Sequence, residues 1–186
     1  MTGNKGFTLI ELLTAVTVFA VVMISLVGLF GSALSYQKEM MIKAEVLNGA
    51  SYAMDYMSRA LRMAQRDITG NCVGESNTYT NPVDTGRIRF LNYDGRCQEF
   101  RLLSEAIQVR KSTDNSYFNL NGGEELTSSR LKIEDLSFII SGNDPLDNLQ
   151  PKVAFSLQIK SQEIDFNSLY VQTLISQRER RYDTPY

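Results

Sequence analysis

The sequence predicts an α+β fold, in which one long N-terminal α-helix, first apolar all round and then amphipathic, carries an antiparallel β-sheet head. Three observations predict it. Residues 12–34 form a run of 23 that are all apolar or small and carry no charge. Apolar residues then recur at helical spacing as far as Ile68, and from Arg87 onward the period changes to two. Helix first and strands afterwards is the α+β order, as opposed to the alternation of a parallel α/β sheet.

At about 1.5 Å per residue the uncharged run covers roughly 34 Å, enough for a hydrocarbon core of about 30 Å. An ordinary secretory signal has a shorter apolar stretch, of about 7–15 residues, and a small-residue cleavage site. This run is longer and has Glu11 just ahead of it, so it reads as an anchor that stays. Lys5 is the one charged side chain before Glu11, which favours a cytoplasmic N-terminus. A carboxylate inside a spanning helix costs roughly 3 kcal/mol near the centre and less near the interface, and it usually marks a function with a partner. The plainer alternative is an interfacial glutamate that points to water. Gly28 and Gly31 are the weak points of this stretch.

Beyond Leu34 the helix turns amphipathic. Leu47, Ala50, Met54, Met57, Leu61, Ala64 and Ile68 stand at spacings of 3, 4, 3, 4, 3 and 4, one face of a helix. Lys38, Lys43, Glu45, Asp55, Arg59, Arg62 and Arg66 take the other face. Gly49 is a poor helix former, costing about 1 kcal/mol relative to alanine. Met40, Met41, Met54, Met57 and Met63 read as core packing. Thr69-Gly70-Asn71 supplies the stop, so the helix is predicted from about Thr8 to Ile68.

Gly70–Gly86 reads as a crossing loop. Ile88 and Phe90 then alternate with Arg87 and Arg89, and Phe100 and Leu102 with Glu99 and Arg101. The loop Tyr93-Asp94-Gly95 puts glycine where a bulged hairpin needs a left-handed residue, in the register that keeps the four apolar residues on one face. Further strands are predicted through Ile107 and Val109, Leu131 to Ile140, Lys152 to Lys160, and Leu169 to Ser176. Lys111–Glu125 and Ser141–Pro151 read as surface loops.

The chain has 186 residues, a net charge of −2 and no histidine. The charge gives no global pull toward nucleic acid, and the missing imidazole removes the commonest general base and zinc ligand. No phosphate-binding loop, nucleophile elbow or metal-ligand cluster is present, and Glu134-Asp135, adjacent in a strand, point to opposite faces. No enzyme, cofactor or metal is assigned. Asn143, Asp144, Asp147 and Asn148 form an oxygen-rich loop, but its spacing matches no EF-hand, and Asx residues around Pro145 are ordinary turn formers. Arg87, Arg89, Arg101 and Arg110, with Arg96 at the hairpin end, would suit phosphate contacts beside Tyr93. Glu99 next to Arg89 argues instead for a solvated sheet face. Cys72 and Cys97 allow one pairing; a head outside the cytoplasm favours a disulfide, and two buried thiols are the alternative.

Gly6-Phe7-Thr8-Leu9-Ile10-Glu11 resembles the type III signal of type IV pilins and of type II secretion pseudopilins. The likeness is dense over Lys5–Leu13 and compositional to about Leu34. It implies a pilin-like fold and a prepilin peptidase that cuts between Gly6 and Phe7 and methylates the new Phe7 amine. It also implies that Glu11 pairs with the Phe7 amine of a neighbouring subunit during assembly. The domains then read as a cleaved leader over 1–6, a membrane and filament-core helix over 7–34, its amphipathic continuation over 35–69, and a β-rich head over 70–186. The implied partners are other pilin or pseudopilin subunits, the prepilin peptidase and an inner-membrane assembly platform. The implied location is the inner membrane with the head on its outer side, then a pilus or pseudopilus. Unlike many major pilins the helix has no proline, and the cysteines sit just after the helix and in the first hairpin. Both features favour a minor pilin or a J-type or W-type pseudopilin, as does a similarity of Gln150–Val153 and Val171–Arg178 to parts of such subunits. The alternative function is a membrane-anchored, pilin-like binding module for DNA uptake or surface adhesion.

Overall fold

The uncharged run and the amphipathic stripe form a single α-helix, α1 (Leu9–Arg62). The structure is a computed structural model that describes Gly6 and residues 8–74, 76–144, 146, 149–163 and 168–178. It divides into two compact units, Met1–Ile42 and Lys43–Tyr186. In the first unit α1 passes through Gly28 and Gly31 without a break, and large apolar side chains from Leu9 to Leu34 are exposed along it. The hydroxyls of Thr14, Thr17, Ser25, Ser32 and Ser35 each donate to a carbonyl one turn back, at 2.9–3.1 Å. The polar atoms of the run are therefore satisfied within the helix, and what it offers its surroundings is hydrocarbon.

In the second unit, residues 43–62 of α1 bury Val46, Ala50, Ala53, Met54, Met57 and Leu61. The predicted stripe holds in its middle and fails at its ends. Leu47 and Ile68 are exposed, because the buried line starts at Val46 and the helix stops before Ile68. Of the methionines, Met54 and Met57 are core, whereas Met40 and Met41 are exposed. Gly49 has a packing reason: a Cβ there would lie 2.3 Å from Cδ1 of buried Leu131.

The helix ends at Arg62 because distant segments take over its last backbone groups. The Tyr79 hydroxyl donates to the Leu61 carbonyl at 2.6 Å, the Arg178 N–H to that of Arg62 at 2.8 Å, and Gln177 Nε2 to that of Ala64 at 2.9 Å. The Gln65 N–H turns to the Leu91 carbonyl at 2.8 Å, forming an isolated β-bridge. These bonds satisfy orphan carbonyls that a longer helix would have used itself.

The head has two antiparallel sheets where one was expected. The first runs β1 (Tyr79–Thr80), β2 (Arg87–Leu91), β3 (Cys97–Leu103), β4 (Ala106–Ser112) and β5 (Leu120–Glu125) in sequence order, and the second β6 (Leu131–Ser141), β7 (Lys152–Ser161) and β8 (Leu169–Ser176). The β2–β3 hairpin has the predicted loop and register. Gly95 has φ 75°, the Asn92 N–H meets the Arg96 carbonyl at 2.9 Å, and Ile88 faces Phe100. Ile88, Phe90 and Phe100 are fully buried. They join Val46 to Leu61 of α1 and the inner residues of β6 and β7 in one core. β5 corrects the reading of Lys111–Glu125 as a loop: Asn121-Gly122-Gly123-Glu124 lacks apolar alternation because it is an exposed edge strand paired, among the described residues, only with β4.

Candidate functional site: the N-terminal segment and the disulfide-linked head

Thr8 starts the helix. Its side-chain oxygen accepts from the Glu11 N–H at 3.4 Å, and its carbonyl from the Leu12 N–H at 3.2 Å. The order Thr-x-x-Glu is a capping-box signature, so Thr8 is a helix cap that the apolar pattern alone does not reveal. Glu11 sits in the first turn, exposed, where the positive end of the helix dipole favours a carboxylate. Among the described residues its carboxylate makes no ion pair. Gly6 is exposed, with nothing within 4 Å of a Cβ built on it. Phe7 and the leader residues Met1–Lys5 lie outside the described residues, so the cleavage junction has one described side. By length and composition α1 can cross a membrane, with a mean hydropathy of 2.6 over its most apolar window.

In the head, a disulfide joins Cys72 and Cys97, with Cα atoms 5.5 Å apart and a sequence separation of 25. The bond lies against Val73, Leu91 and Leu120 in a small buried cluster. Fully buried Asp67 organises the Cys72 side. Oδ2 accepts from the N–H groups of Cys72 at 2.7 Å and Val73 at 3.0 Å, and Oδ1 from the Thr69 hydroxyl at 2.9 Å and the Gly70 N–H at 3.0 Å. Burial pushes this carboxyl up, but the Val73, Cys72, Thr69 and Gly70 donors together outweigh it and hold the pKa below the usual carboxylate value. On the other side, the Cys97 N–H donates to the Asp114 carbonyl at 2.8 Å. Burial pushes the Tyr79 phenol above its ordinary range, keeping the proton that bonds Leu61.

The outward arginines do not form the solvated face that the alternation suggests. Glu99 is 1% exposed. Arg89 reaches its Oε2 at 2.9 Å and Arg110 its Oε1 at 3.4 Å, while the guanidinium of Arg89 stands 5.0 Å from the centre of the Tyr117 ring. Arg110 also donates to the Leu120 and Gly122 carbonyls, Arg101 to Gln108, and Arg87 lies 3.9 Å from Asp84. Glu99 is buried and its arginine partners half-buried because β5 and the turn before it fold beside them, and the polar 111–125 sequence gave no sign of that. A phosphate would have to compete with a desolvated carboxylate for Arg89 and Arg110.

The Asx loop is likewise employed locally. Asn143 Oδ1 accepts from the Thr78 and Tyr79 N–H groups, each at 3.1 Å, its Nδ2 donates to the Tyr79 carbonyl, and Asp144 Oδ1 accepts from the Leu146 N–H. Pro145, Asp147 and Asn148 lie outside the described residues.

A family model described as the prokaryotic N-terminal methylation motif matches residues 1–27. Comparison with the curated proteins and with the solved structures returns no match. The motif supports a pilin-like substrate of prepilin peptidase. With its long apolar helix and its α+β pilin-like architecture, the chain fits a type IV pilin or pseudopilin.

Proposed function

We propose that the protein is a minor pilin or minor pseudopilin, a structural subunit of a type IV pilus-like filament. The observation that carries this reading is the methylation motif opening directly onto a helix whose first half is uncharged except for Glu11. Prepilin peptidase removes residues 1–6 between Gly6 and Phe7 and methylates the Phe7 amine. Before assembly, the helix over 7–34 lies in the inner membrane, with its continuation over 35–69 and the head over 70–186 on the outer side. An assembly platform then moves the helix from lipid into a filament core made of other pilin helices. The transfer costs little, because the helix surface is hydrocarbon in both places. Glu11 sets the register: among apolar helices an unpaired charge is strongly penalised, so the subunit stops where its carboxylate meets the methylated amine of a neighbour. The disulfide between Cys72 and Cys97 fastens the loop after the helix to the first hairpin. The role is structural, and the chemistry is done to the protein at its N-terminus.

Glu11→Ala tests the assembly step. The variant is expected to stay in the membrane fraction and to be processed, but to be depleted from sheared filaments on immunoblots. Wild-type incorporation would remove the proposed role of Glu11.

A further inference from the structure

The outer strands of the two sheets are finished differently. β1 has two residues. β5 carries Gly122-Gly123-Glu124-Glu125, exposed, and glycines and carboxylates discourage pairing. β6 is occupied on its far side: the Phe138 N–H donates to the Thr85 carbonyl at 2.7 Å and the Ile133 N–H to that of Glu105 at 2.9 Å. β8 has none of these protections. Its 8 residues, Leu-Tyr-Val-Gln-Thr-Leu-Ile-Ser, include no charge, glycine or proline, and among the described residues it is bonded only to β7.

The phase of that ladder shows which backbone groups are open. The Gln177 N–H donates to the Pro151 carbonyl at 3.0 Å, and the pairing continues through Ile175 opposite Val153 and Thr173 opposite Phe155. Alternate residues of an antiparallel strand turn their backbone groups to the same neighbour. The odd-numbered residues of β8 therefore bond β7, and Tyr170, Gln172, Leu174 and Ser176 present N–H and C=O to the open side. No partner reaches those groups among the described residues.

One row of the adjoining sheet face is apolar. Ile139, Ala154 and Leu174 form one row across β6, β7 and β8, and Ile139, Tyr170 and Leu174 are 65%, 59% and 65% exposed. At the Ser176 end stand Lys152, opposite Ser176, and Arg178, both exposed and neither in an ion pair among the described residues.

We propose that β8 is a docking edge that takes an extended strand from the head of a neighbouring filament subunit. The complementary segment is uncharged along its length and has a carboxylate at the end that meets Lys152 and Arg178. Main-chain bonds supply the attachment, and the apolar row supplies the side-chain contact. The inference rests on the filament reading, which also explains why so plain an edge suffices: subunits anchored in one membrane meet at high effective concentration. In the filament the neighbour covers an edge that would otherwise invite aggregation.

The test uses the full-length protein in cells that assemble the filament, with the photo-crosslinker benzoylphenylalanine in place of Tyr170. Light is expected to produce an adduct with another chain that itself carries the N-terminal methylation motif, identified by mass spectrometry. Gln172→Pro deletes an open-side N–H while leaving the β7 ladder intact, as proline on an edge strand can. Leu174→Lys blunts the same edge by charge. Either is expected to reduce the adduct about tenfold or more. Leu174→Lys, which touches no ladder bond, decides the matter if Gln172→Pro lowers the melting temperature. Absence of an adduct, an adduct with a protein lacking the motif, or a yield unchanged by both variants overturns the proposal. Those results in a chain that begins at N-methyl-Phe7 defeat the docking edge alone, whereas an unprocessed Met1 start defeats the filament reading beneath it.

Discussion

Asp67 concentrates four hydrogen bonds on one buried carboxylate, and its chemistry gives the head an acid limit. Its pKa is lower folded than unfolded, so the unfolded chain binds the proton more tightly and stability falls as protons are added. The contribution is fully present above the unfolded value of about 3.9 and is lost as pH drops below that toward the folded pKa. Urea unfolding of the full chain in detergent between pH 6 and pH 3 is expected to show a falling midpoint, with a shallower fall in Asp67→Asn. At neutral pH that variant should be less stable by about 1–3 kcal/mol, since its amide nitrogen cannot accept the bonds one carboxylate oxygen now receives. Gly49 gives a prediction against propensity. Alanine usually stabilises a helix over glycine by about 1 kcal/mol, but here its methyl would drive into Leu131. Gly49→Ala is therefore expected to lower stability, by about 1–3 kcal/mol as in other overpacked cores.

The elements differ in how plainly the sequence announced them. The apolar run, the Ala50–Leu61 face, the Tyr93-Asp94-Gly95 hairpin and the alternating Val153–Ile159 strand all state their own period, and each lies where that period puts it. The failures share one physical cause: they depend on partners far along the chain. α1 stops at Arg62 because Tyr79, Gln177 and Arg178 hold its end, and nothing near Ile68 says so. β5 is a strand because β4 lends it a ladder, despite two glycines. Glu99 becomes a buried ion-pair centre because β5 and its preceding turn fold beside a face that alternation marks as outward. The Thr8–Glu11 cap was legible in principle, its signature lying within four consecutive residues. The Cys72–Cys97 link ties the loop after α1 to β3, and Cys97→Ser is expected to cost about 2–5 kcal/mol, read as a lower thermal midpoint under oxidising conditions. An unchanged midpoint would mean that the buried cluster and the Asp67 bonds hold that junction without it.

The whole molecule joins two solvents' worth of chemistry in one chain. In the first unit α1 carries hydrocarbon on every side from Leu12 to Leu34, with the Glu11 carboxylate in its first turn, and the second unit is a head with its own core. The filament reading makes sense of both: the helix is compatible with lipid and with other helices, and the head leaves the β8 edge open to a neighbour among the described residues. Everything in that reading depends on a processing event at a junction where Phe7 becomes the first residue. Mass spectrometry of the protein isolated from its native membrane tests it most directly. The account predicts a chain that begins at N-methyl-Phe7, and an intact chain that begins at Met1 would contradict it.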